Sequence, residues 1–222
     1  MNEKLKEKLI LEARQRISCD DPSHDFFHAL RVLKNVELIS EVEGGDMEVL
    51  LPAALFHDVI NYPKDDARSK LSAEHSANVS KIILEELSMY PKEKIKLVVR
   101  AISEHSFSKG IKSDLKESQI LQDADRLECA GAIAIMRTFC SGGQMKKKFY
   151  DCIDPFCAGR EPDPMRYAID LFYARLLKTI NILNTKTAVD LAEKRVMFLH
   201  TFLFQLEDEL RESGFIGLDS VV

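Results

Sequence analysis

The apolar residues of this chain recur almost everywhere with the 3.6-residue period of a buried helix face. At the carboxyl end Val189, Ala192, Val196, Leu199, Leu203, Leu206 and Leu210 step by threes and fours along one stripe. Leu5, Leu9, Ala13 and Ile17 do the same at the start, and Ala29, Val32, Leu33, Val36 and Ile39 mark a second helix that Gly44-Gly45 ends. Asp46 is placed to cap the next one, which the pattern carries through LLPAALFHDVIN with Pro52 inside it, until Tyr62-Pro63 stops it. Further helices are predicted over 69–87, 91–104 and 118–139, and two more after Met165. No alternating β-branched run bounded by turn dipeptides occurs, so the pattern predicts an all-α fold, a helical bundle. Segment 141–165 breaks the periodicity. It holds Gly142, Gly143, Gly159, Pro155, Pro162 and Pro164, and reads as a loop or flap between two helical blocks.

Length changes the picture only by bounding it. A chain of 222 residues fits a single domain, 1–222, and buries roughly 70% of its unfolded surface, enough for a core without disulfides or structural zinc. The net charge of −5 argues against capture of polymeric nucleic acid, which wants a basic face. No apolar run reaches membrane-spanning length, and the charged amino terminus lacks a secretory apolar block. Five cysteines, none in a C-x-x-C spacing, read as free thiols. These features predict a cytoplasmic protein, monomeric or homodimeric, with no membrane partner.

Five of the six histidines, His24, His28, His57, His75 and His105, fall in the first half. Imidazole is the commonest ligand of mid-row divalent metals. His57-Asp58 ends an apolar run built for a core, where an unpartnered carboxylate costs several kcal/mol and a cation would offset it. His24 and His28 lie one helical turn apart in HDFFHALRV. Asp123 and Asp125 precede the strongly apolar CAGAIAIM, where each is either a helix cap or a ligand; the residues alone leave both readings open.

The order His28, His57-Asp58, Asp125 resembles that of the HD-domain superfamily of metal-dependent phosphohydrolases. HDFFHALRV, AALFHDVIN and QDADRLECAGAIAIMRTF are similar to three motifs of its small bacterial members, over about 23–143. The resemblance implies one divalent metal held by His28, His57, Asp58 and Asp125. Mn²⁺ is the first choice, with Mg²⁺, Fe²⁺, Ni²⁺, Co²⁺ or Zn²⁺ as alternatives, and the ion would activate water against phosphorus. It further implies catalytic roles for Asp58, for His105 as acid or phosphate donor, and for Asp123 as an orienting group. His24, Arg31, Lys64 and Arg68 are then substrate-binding candidates. Asp25 is an orienting group or an early-helix carboxylate, and Arg126 a partner of Asp123 or of substrate. His75 and His200 read as packing or surface residues, and Lys146-Lys147-Lys148 as a solvated run in the flap.

The Glu-Asp pair of alarmone hydrolases is missing, Asn61-Tyr62 standing in its place, and there is no Gly-Tyr-Pro signature of cyclic-di-GMP phosphodiesterases. The expected substrate is therefore a nucleotide or a similar small phosphorylated metabolite, and the charge of Lys64, Arg68 and the lysine run favours a triphosphate. The alternative from another class is a metal- and nucleotide-binding sensor module with little turnover. A purely structural helical protein would leave the clustered His and Asp residues as coincidence.

Overall fold

The computed structural model describes residues 3–63, 66–106 and 110–214. Its helices are α1 (Glu3–Arg16), α2 (Phe26–Glu43), α3 (Met47–Phe56), α4 (Ser72–Glu86), α5 (Ile95–Glu104), α6 (Lys116–Arg126), α7 (Gly131–Gln144), α8 (Asp170–Ala174) and α9 (Lys186–Glu212). Among the described residues there is no β-strand; the one β-type pairing is an isolated bridge between Lys148 and Tyr167. The fold is all-α. No helix among them is long and apolar enough to cross a membrane.

The chain divides into two compact units, residues 3–128 with 182–189 and residues 129–181 with 190–214. In the first, α3 is the axis. Every residue from Val49 to Phe56 is buried, and the helix touches α1, α2, α4, α5 and α6. A helix apolar all round has to be enclosed on all sides, and the neighbours each turn one stripe toward it: Leu5, Leu9 and Ala13 from α1, Val32, Val36 and Ile39 from α2, Val98, Ala101 and Ile102 from α5. Asp46 caps α3 by accepting from the Glu48 amide. Gly44 and Gly45, at φ +77° and +111°, make the left-handed reversal before it that residues with a Cβ resist.

Pro52 sits inside α3 and has no N–H to give the carbonyl four residues back, that of Glu48. The buried Tyr90 hydroxyl donates to that carbonyl at 2.7 Å, so the helix continues with the gap filled from outside.

The second unit packs Ala134 of α7, Ile169, Phe172, Leu176 and Leu199 and Leu203 of α9 into its own core. Gly131 (φ +78°) opens α7 where an added Cβ would come within 3.2 Å of Arg195 Cβ.

Several predicted boundaries shift. The expected helix 118–139 is two helices, because the chain tightens into a 3-10 turn at Leu127–Cys129, runs extended through Ala130 and turns left-handed at Gly131. The predicted loop starts at 145 rather than 141, since α7 carries Gly142 and Gly143 to Gln144. From there Asp151 accepts from the amides of Ile153 and Asp154, Asp154 from those of Ala158 and Gly159, and Arg160 pairs with buried Asp170 at 2.5 and 2.8 Å. The helix predicted through Asn61 ends at Phe56, with His57 as its cap and Asp58 in the turn beyond.

Candidate metal centre

Four helices of the first unit, α2, α3, α5 and α6, deliver five donors to one place. His28 comes from the first turn of α2, oriented by Asp25, which caps that helix by accepting from the His28 amide at 2.8 Å. His57 and Asp58 leave the end of α3, His105 caps α5, and Asp125 lies in the last turn of α6. Asn35 of α2 donates to the Ala124 carbonyl of α6 at 3.0 Å, which holds the helices carrying His28 and Asp125 in register. Gln122 donates to the carbonyls of Glu104 and Ile111, and the Glu104 carboxylate accepts from Ser113 and Ser118, so the segment bearing His105 is fastened to α6.

Nε2 of His28 and Nε2 of His57 are 3.2 Å apart. From them Asp58 Oδ2 stands at 3.8 and 3.6 Å, and Asp125 Oδ1 at 3.6 and 3.9 Å. His105 Nε2 reaches the other oxygen of Asp58 at 3.6 Å. The far nitrogens assign the tautomers. His57 Nδ1 faces the Ala54 carbonyl at 2.8 Å, His105 Nδ1 the Ile102 carbonyl at 2.6 Å, and His28 Nδ1 the Glu128 carboxylate at 3.4 Å. In His28 and His57 the proton sits there, which leaves a bare lone pair on Nε2 pointing inward, while His105 turns its Nε2 toward Asp58.

Two lone pairs at 3.2 Å repel unless positive charge lies between them. A single shared proton would answer the imidazoles but not the two carboxylates as well. A divalent cation answers all four, and the residues present therefore fit one. Donors bound to a common ion at about 2.0–2.2 Å stand about 3.0–3.4 Å from one another, and the spacings here begin inside that window. The imidazoles are buried, whereas Asp58 and Asp125 each keep 18% exposure, so the centre is reached from the carboxylate side.

Burial works against the charge on Asp58, yet His57 and the His105 hydrogen bond hold its carboxyl well below the usual range. Burial likewise opposes ionisation of Asp125, and His57 and His28 outweigh it. For His105 burial favours the neutral ring, while the hydrogen bond and charge of Asp58 raise its pKa.

A family model of the HD domain matches residues 25–130. YpgQ of Bacillus subtilis is 32% identical over 203 residues, 88% of this chain and 89% of YpgQ. The chain belongs to the HD-domain superfamily. Its structural likeness extends beyond the motifs. The crystal structure of YpgQ in complex with ADP superposes with a TM-score of 0.70 at 28% identity, over 96% of this chain and 100% of that one. That of an HD-superfamily hydrolase from Bacillus thuringiensis gives 0.71 at 31% identity, over 94% and 98%.

Around the HD residues the predicted site divides. The four expected ligands come together with His105. His24 lies beside them: its ring meets that of His28 edge-on at 5.7 Å, and its Nδ1 is held by Asp21 at 2.7 Å. Asp21 also accepts from Asn61, and its bond to His24 depresses its pKa strongly.

Asp123 does not face the centre, and its expected catalytic role is corrected. Fully buried, it accepts from the backbone and side chains of Asn184 and Thr185 at 2.7–3.0 Å, and so fastens the start of α9. Arg126 donates to the Ile182 carbonyl and lies 3.8 Å from Asp123. Arg31 gives its Nε to Glu128 at 2.7 Å instead of being held toward a phosphate. Arg68 is exposed, paired with Asp66 and lying 4.5 Å over the Tyr62 ring, which weakens the charge argument for a triphosphate. Lys64 lies outside the described residues.

His75 accepts or donates at the Tyr62 hydroxyl at 2.9 Å, and His200 is an exposed residue of α9. Lys147 bonds the Pro164 carbonyl. Sequence reasoning missed Asp21 and Glu128. Spacing offered a signal for Glu128, which follows the expected ligand Asp125 by three residues; nothing comparable marked Asp21.

Proposed function

We propose that this chain is a metal-dependent phosphohydrolase that cleaves a phosphate ester or phosphoanhydride of a nucleotide or similar small phosphorylated metabolite. The observation that carries the reading is the convergence of bare Nε2 lone pairs with two carboxylates at 3.2–3.9 Å, each ring fixed by a partner on its far nitrogen. Adenosine diphosphate bound to YpgQ, a structural relative at 28% identity, supports a nucleotide as the ligand.

His28, His57, Asp58 and Asp125 would hold the ion, Mn²⁺ in the first instance. When bound, it supplies charge to the phosphoryl oxygens and makes water a nucleophile near neutral pH. His105, whose Nε2 lies 3.6 Å from Asp58 and whose pKa Asp58 raises, is placed to hold a proton beside the leaving oxygen. His24, set by Asp21, stands at the rim for contact with the substrate. The buried imidazoles exclude water from one side while the carboxylate side admits the phosphate.

The test is turnover of a panel of nucleoside mono-, di- and triphosphates by chelator-stripped protein, with and without Mn²⁺. Metal-dependent release of phosphate or pyrophosphate is expected, and His57→Ala or Asp58→Ala should abolish both metal binding and release. Turnover at the wild-type rate by Asp58→Ala would refute the assignment; metal and nucleotide binding without release from any panel member would favour the sensor.

A further inference from the structure

Glu128 is a carboxylate, yet it is buried at 3% exposure, at the last residue of the first unit's unbroken run. Its Oε2 accepts from Arg31 Nε at 2.7 Å and stands 3.4 Å from Nδ1 of His28. From the juxtaposition of these three side chains we infer that Glu128, clamped by Arg31, is a positioning residue that fixes the His28 ligand and sets the affinity of the centre for its divalent cation.

Three arguments converge. A carboxylate on the far nitrogen of a ligating imidazole selects the tautomer with Nε2 bare and raises the basicity of that nitrogen, which strengthens its bond to a metal. A buried carboxylate without a counter-charge is costly, and Arg31, 33% exposed, supplies the charge while its other end reaches water. The formal charges also match the ion. Asp58, Asp125 and Glu128 against Arg31 leave two negative formal charges around the facing Nε2 atoms of His28 and His57, the complement of a divalent cation. Short spacing makes the arrangement simple to encode: Arg31 follows His28 by three residues on α2, and Glu128 follows Asp125 by three, in the 3-10 turn just after α6. Arg31 therefore acts on the centre through Glu128 and His28, a role its position in the motif does not reveal.

The inference rests on the metal reading but not on turnover, and its test needs no substrate. Mn²⁺ affinity is measured calorimetrically on the full chain for the wild type, Glu128→Gln, Glu128→Asp, Arg31→Ala and Arg31→Ala with Glu128→Gln. Loss of such an outer partner weakens metal binding roughly 10–100-fold, and that range is expected for Glu128→Gln, with Glu128→Asp restoring most of it. Arg31→Ala should weaken Mn²⁺ as well, because Glu128 without Arg31 is no longer held against His28. It should add almost nothing on top of Glu128→Gln. Wild-type affinity in a folded Glu128→Gln would overturn the inference, and so would fully additive losses. Should Glu128→Gln not fold, Arg31→Ala decides alone: unchanged Mn²⁺ affinity with a raised KM would make Arg31 a phosphate ligand instead. Failure of the proposed hydrolysis leaves these affinities measurable, so the two readings fall separately; a wild-type chain that binds no Mn²⁺ would remove both.

Discussion

Asp123 separates a residue that builds the site from one that works in it. Its carboxylate is fully buried and accepts from the Asn184 amide at 2.8 Å, the Asn184 side chain at 2.8 Å, the Thr185 amide at 2.7 Å and the Thr185 hydroxyl at 2.8 Å. Hydrogen bonds to a charged acceptor contribute about 1.5–3 kcal/mol each, and buried donors left without a partner cost about 1–3 kcal/mol. The four contacts share one group and cannot be summed independently, so Asp123→Ala should cost about 3–5 kcal/mol, the range for removing one side of a buried charged network. For a chain of this length that lowers the melting temperature by roughly 6–20 °C. Asp123→Asn should lose part of this, because its amide points a donor at donors. Mn²⁺ affinity and kcat per folded molecule, measured well below the melting transition, should stay near wild type. The assay is thermal unfolding beside Mn²⁺ calorimetry and turnover on the same samples. A variant that melts like the wild type while losing kcat would refute the structural role and return Asp123 to the catalytic set.

Two further predictions concern the helix that carries His57 and Asp58. Tyr90→Phe should cost about 1–3 kcal/mol by leaving the buried Glu48 carbonyl without a donor, and markedly less in a Pro52→Ala background, where residue 52 regains an N–H for that carbonyl; equal costs in both backgrounds, by denaturant titration, would break the link. Burial raises the pKa of Asp46, but its bonds to Lys94 and the Glu48 amide prevail and hold it below the ordinary 3.8. Its stabilisation of α3 is therefore present above the unfolded value and lost as pH falls through the lower folded one. Asp46→Asn, which keeps the cap but not the charge, should flatten that acid limb of the stability profile, and an unchanged limb would count against it.

Much of the architecture was legible because it follows from burial. The stripes of α1, α2 and α9, the Gly44-Gly45 stop and the Asp46 cap stand where periodicity and turn chemistry place them. The break between α6 and α7 was hidden, since 118–139 remains helical in pattern across the 3-10 turn, the extended Ala130 and the left-handed Gly131 that interrupt it. Motif spacing led to His28, His57, Asp58 and Asp125 because ligands must come from fixed helix faces. It failed for Asp123, which is adjacent to the motif in sequence but on the opposite side of α6's last turn from Asp125, and for Arg31, whose partner Glu128 is 97 residues away. A charged side chain's function depends on the counter-charge it meets, and that pairing is tertiary.

The layout also explains why so few residues are spent on the centre itself. His57 needs only the end of its own helix, since the Ala54 carbonyl three residues back fixes its Nδ1, and His105 uses Ile102 in the same way at the end of α5. A helix terminus leaves carbonyls without intrahelical partners, so an imidazole placed there satisfies the backbone and acquires its tautomer together. His28 sits at the start of α2, where the exposed groups are amides and no carbonyl is offered, and it alone of the three turns its Nδ1 to a carboxylate, that of Glu128 in the 3-10 turn after α6. The extra pair Glu128 and Arg31 is thus the consequence of drawing one ligand from the wrong end of a helix. It makes His28 the proposed ligand whose geometry depends most on long-range contacts, and the one through which changes distant in sequence should reach a bound ion.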